Sequence, residues 1–359
     1  MKLFTRLHGR GAPFAALLIA IVCAPAAAKN APHVLGTAYV DVSVATLWTS
    51  PDSPRSIDKP ALTNPVHMQK WIDGMSVAQR RWLSGHNATQ TQVLYGHKVY
   101  ILKEQGQWDK IAVPGQPTPK NPLGYPGWVP KVQLTHSSHF GKIVQKQPFA
   151  LVSGAPTVWL YSNEKLSHKF LRISFNTRLP VLSRTADAVR VATPDDGPKW
   201  LKASDVKIYQ STADIPRPTA AELLKTAKQF VGLPYIWAGR SGFAYDCSGF
   251  TGSMYQYYGM TLPRDAGAQA LHGHGVKIPR TNHDLQRGDL LFYANHDGTG
   301  SIYHVAMYVG NGKMIEAYAS GTPLRVTTAR FGKNYWGAAK FLTNLEKATA
   351  ANPSETSKR

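Results

Sequence analysis

The sequence predicts two small β-barrels in series, followed by a separate domain of helices and strands. Three observations carry this reading. Short β-branched and alternating runs separated by polar turns fill positions 34–135 and recur over 149–209. A stiff Ile215-Pro216-Arg217-Pro218 segment then interrupts that pattern, and helical periodicity begins directly after it, at the capping box Thr219-Ala220-Ala221-Glu222.

The first unit, 29–136, opens with Tyr39-Val40-Asp41-Val42-Ser43-Val44 and resumes with Lys98-Val99-Tyr100-Ile101-Leu102. A turn at Glu104-Gln105-Gly106-Gln107 leads into Trp108–Val113. Between these strands, Met68, Trp71, Ile72 and Met75 fall at helical spacing, so Asn64 to Gly85 is expected to be a helical insertion. A Pro/Gly-rich loop over 114–126 closes onto Gly127-Trp128-Val129. The second unit, 149–210, repeats the order: Thr157–Tyr161, Arg178–Leu182, Ala188–Val191, a turn at Asp195-Asp196-Gly197, then Trp200-Leu201. Trp48, Trp108, Trp128, Trp159 and Trp200 are expected in barrel cores or rims. Residues 211–218 form the linker and 219–345 the last domain. Its strands are expected at Asp289–Tyr293, His304–Val309 and Met314–Tyr318, with Asn311-Gly312 as the turn between the last two. The small polar residues 346–359 read as a disordered tail.

Residues 1–28 read as a signal peptide. Lys2, Arg6 and Arg10 form the basic region, Ala12 to Val22 the apolar one, and Ala26-Ala27-Ala28 the cleavage site. An exported protein of the periplasm or cell envelope is expected. A lipoprotein would need a small residue before Cys23, where Val22 stands. No later run is apolar enough for a membrane span. With 41 Lys and Arg against 21 Asp and Glu, net +20, the chain suits an anionic partner. The cations are scattered and no nucleic-acid-binding signature occurs, which favours envelope polymers or lipid head groups over nucleic acid.

Loss of the signal would leave Cys247 as the only cysteine, without a disulfide partner. Phe250, Met254, Tyr257 and Tyr258 fall at i, i+4, i+7 and i+8, and Gly259 suits a C-terminal cap, so a helix begins near Asp246. Asp246 is its natural N-cap. Cys247 then sits in the first turn, where the helix dipole favours the thiolate; the tight Asp-Cys-Ser-Gly setting argues against a merely buried core cysteine. A thiol nucleophile needs a base and a group to orient that base, and His304 with Glu316 twelve residues later are the candidates.

Four motifs in order carry a resemblance: Gly232-Leu233-Pro234-Tyr235-Ile236-Trp237, Asp246-Cys247-Ser248-Gly249-Phe250, Arg287-Gly288-Asp289-Leu290-Leu291-Phe292 and His304-Val305-Ala306-Met307-Tyr308-Val309-Gly310. Over roughly 219–342 the chain resembles the NlpC/P60 cysteine peptidases. The resemblance implies a papain-like α+β domain with Cys247 as nucleophile, His304 as base and Glu316 in the third position, where the family more often has His. It also implies that the Tyr235 hydroxyl and the Cys247 N–H hold the oxyanion. The front half resembles the paired bacterial SH3 domains of wall-trimming peptidases, which implies that Tyr125 reaches the cleft and that Asp246 and Asp265, with Ser248 nearby, grip a substrate ammonium. His97 stands after Tyr95-Gly96, where the family often has an acid. The implied substrate is a peptidoglycan stem peptide or murein fragment with a free L-Ala amine, cut between γ-D-Glu and the diamino acid by a monomeric enzyme without cofactor or metal.

Two rival readings share these residues: a wall-binding SH3 module with weak or no catalysis, and a papain-like amidase or acyltransferase. His272-Gly273-His274 lacks a third ligand at zinc spacing. Parity sets one geometric condition. A plain two-residue Asn311-Gly312 loop would pair Met307 with Glu316 and turn Glu316 away from His304, so a catalytic Glu316 requires an odd-length connection or a bulge.

Overall fold

Alternation of buried and exposed side chains organises the front of the chain into antiparallel ladders. In the computed structural model, which describes residues 33–281 and 284–342, the first unit contains Gly36–Val40 (β1), Val44–Trp48 (β2), Thr89–Leu94 (β3), Lys98–Gln105 (β4), Trp108–Val113 (β5), Tyr125–Pro130 (β6) and Leu134–Thr135 (β7). They form one sheet in the order β3-β2-β6-β5-β4-β1-β7. The expected signal peptide, 1–28, and the expected tail, 346–359, lie outside the described residues. The insertion is helical as expected but split into Met68–Gly74 (α1) and Val77–Gly85 (α2). Ser76 causes the break: its hydroxyl accepts from the Gln79 N–H while its own N–H donates to Gln79 Oε1. Met68, Trp71, Ile72 and Met75 are all buried, and Trp71 packs 6.0 Å from Trp48.

After a helix at Ser138–Lys146 (α3), which the strand pattern of the sequence did not disclose, the second unit repeats the arrangement. Phe149–Val152 (β8), Thr157–Tyr161 (β9), Lys169–Ser174 (β10), Arg178–Arg184 (β11), Ala188–Val191 (β12), Lys199–Lys202 (β13) and Val206–Tyr209 (β14) pair in the order β10-β9-β13-β12-β11-β8-β14. In both units the outermost strands are not paired with each other, so the ladders describe open seven-stranded sheets rather than closed barrels. Trp48 and Trp128 are buried and Trp108, Trp159 and Trp200 half-buried, as core and rim positions require.

The last unit starts where the capping box predicts. Thr219 caps Ala220–Lys228 (α4), exchanging hydrogen bonds with Glu222. A short hairpin, Arg240–Ser241 (β15) and Ala244–Tyr245 (β16), precedes Cys247–Tyr257 (α5), and Ala266–His272 (α6) follows. Val276–Pro279 (β17), Leu290–Ala294 (β18), Ile302–Gly310 (β19), Lys313–Glu316 (β20), Arg325–Thr328 (β21) and Tyr335–Lys340 (β22) form an antiparallel sheet in the order β17-β22-β18-β19-β20-β21. Phe250 and Met254 of α5 pack with Val305 and Met307 of β19, which brings the helix bearing Cys247 against the strand bearing His304. The expected clean boundaries are bridged in the core: Ile236, Phe243 and Ala244 join the apolar cluster of the first unit, while Leu151 and Phe175 of the second join that of the last. Among the described residues no helix is long and apolar enough to cross a membrane.

Candidate active site

Cys247 is the first residue of α5. Asp246 takes the extended cap conformation, and its Oδ1 accepts from the Gly249 N–H at 2.6 Å. Gly249 is demanded by packing, because a Cβ there would lie 2.0 Å from the Gly239 carbonyl oxygen. The turn is thus fixed from both sides, and the thiol with it. Cys247 is only 7% exposed, against the expectation that this setting would keep it open. Burial and the Asp246 carboxylate push the thiol up to about 12, outweighing the N–H groups of Val305 and Ser248 that face the sulfur. The helix terminus therefore lowers this thiol less than burial and Asp246 raise it, so the net shift runs opposite to the depressed thiol expected from the sequence.

His304 is buried on β19, next in sequence to Val305, whose N–H faces the Cys247 sulfur. Burial lowers its imidazole and Glu316 opposes that shift, the net direction being down. Its Nε2 lies 2.8 Å from Glu316 Oε2. Glu316 has no exposed surface, yet its carboxyl is held at about 2: burial alone would raise it, but hydrogen bonds from His304 and Arg330 prevail. Arg330 donates to both carboxylate oxygens, at 3.0 and 2.8 Å, and Arg325 to Oε1 at 3.1 Å. With Glu316 ionised, Nε2 carries the imidazole proton and Nδ1 is left as the base. Tyr318 abuts the His304 ring edge-on at 5.4 Å and in turn stacks under Arg330, so one cation packs the base and orients its partner.

The parity condition is met by a bulge. Asn311 and Gly312 form the two-residue turn, both with positive φ, pairing Gly310 with Lys313. The ladder then slips between Tyr308 and Gly310, so that Met307 faces Ile315. Continuing that register sets Glu316 opposite Ala306, on the face His304 shares. Val309 is the extra residue.

Tyr235 is buried, and burial first, then the proximity of Cys247 and Asp246, keeps its phenol protonated far above its ordinary range. It is a hydrogen-bond donor next to the thiol. Asp246 and Ser248 are occupied internally. Arg264, 1% exposed, donates to Asp246 Oδ1 at 3.1 Å and Oδ2 at 2.7 Å and to Ser248 Oγ at 3.0 Å, and its Nε reaches Thr91 of the first unit. This salt bridge holds Asp246, and with it the turn that carries Cys247. Asp265 differs: it heads α6 without capping it, and the Tyr125 hydroxyl donates to its two oxygens at 2.9 and 3.1 Å. Tyr125 therefore reaches the last unit from β6. His97 sits elsewhere, its Nε2 bonded to the Pro114 carbonyl in a cavity of about 330 Å³ shared with Arg178 and Arg240. Sequence reasoning missed Arg264, Arg325 and Arg330. The first adjoins Asp265 in sequence, and Arg325 faces Glu316 across β20 and β21, a register that no local pattern announces.

Among the described residues no group of three or more His, Cys, Asp or Glu could hold a metal ion. A buried thiol at a helix start, an imidazole held by an ionised carboxylate and a protonated phenol near the thiol are the groups from which thiol-based acyl chemistry can be built.

Comparison with known proteins agrees in kind. Residues 232–343 match the NlpC/P60 family, and residues 154–209 match the YKFC SH3b2 domain. The chain is 46% identical over 308 residues, 85% of its length and 91% of the relative's, to a Bacillus cereus protein named gamma-D-glutamyl-L-lysine dipeptidyl-peptidase. A Bacillus subtilis protein of the same name is 39% identical over 287 residues, 80% of this chain and 91% of that one. The crystal structure of an NlpC/P60 family protein from Bacillus cereus is similar with a TM-score of 0.81 at 44% identity, covering 86% of this chain and 100% of that one. Likeness sustained along almost the whole of such a relative settles the family: this chain belongs to the NlpC/P60 cysteine peptidases, with an SH3b domain ahead of its peptidase domain.

Proposed function

We propose that this protein is an exported, monomeric peptidase of the periplasm or cell envelope that trims peptidoglycan stem peptides or their murein fragments. It takes peptides with a free L-Ala amine and cuts between γ-D-Glu and the diamino acid, and both front units act as SH3-like modules that shape its cleft. The supporting observation is the Tyr125–Asp265 pair, a phenol of the first unit bonded to a carboxylate of the catalytic unit. It leaves a polar cradle next to the Asp246-Cys247 turn, where a substrate's ammonium finds charge-assisted partners. The name that the two Bacillus relatives share, gamma-D-glutamyl-L-lysine dipeptidyl-peptidase, supports the same bond. Export rests on the basic, apolar and small-residue succession of residues 1–28.

In this reading the Cys247 thiolate, formed as His304 Nδ1 takes the thiol proton, attacks the γ-glutamyl carbonyl carbon. Its C=O π electrons move to oxygen, which the Cys247 N–H and the Tyr235 hydroxyl stabilise. His304 returns the proton to the leaving amine, and water then hydrolyses the thioester. The test uses L-Ala-γ-D-Glu-L-Lys with and without an acetylated amine. Cys247→Ala should abolish cleavage, and acetylation should remove most of it, because Asp265 would face an uncharged amide. Equal rates on the two peptides would refute recognition of the amine.

A further inference from the structure

The loop of residues 114–124, between β5 and β6, carries a single cation, Lys120. Its ammonium meets the Tyr125 hydroxyl, lies 3.3 Å from Asp265 Oδ2 and 3.4 Å from Gln90 Oε1, and sits 4.4 Å from the centroid of the Tyr125 ring. Tyr125 and Asp265 are the partners that the proposed function gives to the substrate's ammonium. We propose that Lys120 is a displaceable internal occupant of the amine cradle, so that a peptide's N-terminal ammonium binds by exchanging with it. The inference rests on the amine-recognition reading above and adds a specificity-determining residue to it.

The chemistry of the exchange is symmetrical. A lysine ammonium and an N-terminal ammonium each bring one positive charge and three donors, and the Asp265 carboxylate can balance only one of them. A second cation beside Lys120 would be repelled at contact distance. The neighbouring Asp246 cannot take the surplus charge, because Arg264 already holds it in a buried two-point salt bridge. The two pairs also differ in how readily they part. Arg264 and Asp246 are buried at both ends, whereas the Lys120 and Asp265 side chains are 45% and 40% exposed, so water can receive the lysine as it leaves. A peptide lacking an ammonium has nothing to offer Asp265 in exchange and meets a cradle that is already satisfied. Lys120 would thus weaken binding of every substrate while penalising blocked amines most.

The experiment measures KM for L-Ala-γ-D-Glu-L-Lys in the full protein and its Lys120→Met and Lys120→Arg variants. It also measures the Kd of the same peptide calorimetrically with each variant placed in a Cys247→Ala background, which separates affinity from chemistry. Lys120→Met should lower KM and Kd about two- to fivefold, the range an exposed ion pair supports. Lys120→Arg, with a planar fork that holds a carboxylate more firmly, should raise both. Unchanged or weaker binding in Lys120→Met overturns the proposal. The two readings fail differently: equal cleavage of free and acetylated peptide by the parent protein sinks amine recognition itself, while intact amine selectivity with no effect of Lys120→Met sinks only the exchange.

Discussion

Burial and a neighbouring carboxylate raise the Cys247 thiol more than one helix terminus lowers it, which favours the protonated form at rest. Two measurements check this. Alkylation by iodoacetamide at pH 7 should be slower than that of an unperturbed thiol and should rise steadily toward alkaline pH, since burial pushes the group to about 12. Fast alkylation at neutral pH would instead indicate a thiolate–imidazolium pair at rest. The acid limb of kcat/KM should lie below 6.5, the ordinary imidazole value, because burial lowers His304 and the base must be neutral to take the thiol proton. At this scale the sequence was largely legible: Cys247, His304 and Tyr235 each stand in a motif with its own spacing. The charge state was not, because desolvation is a sum over everything packed around the sulfur.

Among elements, the β19–β20 hairpin decides whether Glu316 can reach His304. Parity forbids it for a plain two-residue turn, and the bulge at Val309 restores it; the sequence could state that condition but not which solution the chain adopts. Closing the hairpin places an ionised carboxylate in a buried site, and Arg325 and Arg330 compensate the charge. Glu316→Gln should lower kcat by roughly tenfold or more with the fold retained, because an amide neither fixes the Nε2–H tautomer as firmly nor stabilises an imidazolium. Arg330→Ala tests the clamp through pH. Glu316 is depressed from 4.5 to about 2, so its contribution to stability is complete above about 4.5 and is lost as pH falls toward 2. Removing Arg330 should move that loss to higher pH, seen as an acid-unfolding midpoint shifted upward by circular dichroism. An unmoved midpoint would leave Arg330 without a role in holding the charge.

For the whole molecule, the informative feature is a polar seam that ties β3 to the catalytic unit. Gln92 Oε1 accepts from the Arg240 N–H and the Ser241 hydroxyl, both at 2.9 Å, and its neighbour Thr91 accepts from Arg264. Residues of β3 therefore hold the hairpin that leads into the Cys247 turn and the arginine that fixes Asp246. Composition and linker signals placed the three units in order, yet they suggested independent modules. Residues such as Ile236 and Phe243 look like ordinary core positions of their own domain, and only the folded chain assigns them to the first unit's cluster. Shared cores and a buried seam imply one cooperative transition for the described units rather than three. Gln92→Leu is the direct probe, because it strands the buried Arg240 N–H and Ser241 hydroxyl without opening a large cavity. The loss should be about 1–3 kcal/mol, the cost of leaving buried polar groups unpaired. In calorimetry it should lower a single transition by a few degrees. Because the seam supports the turn, kcat/KM should fall alongside stability. Separate transitions for the front and catalytic units, with only the front one moved by Gln92→Leu, would contradict this coupling.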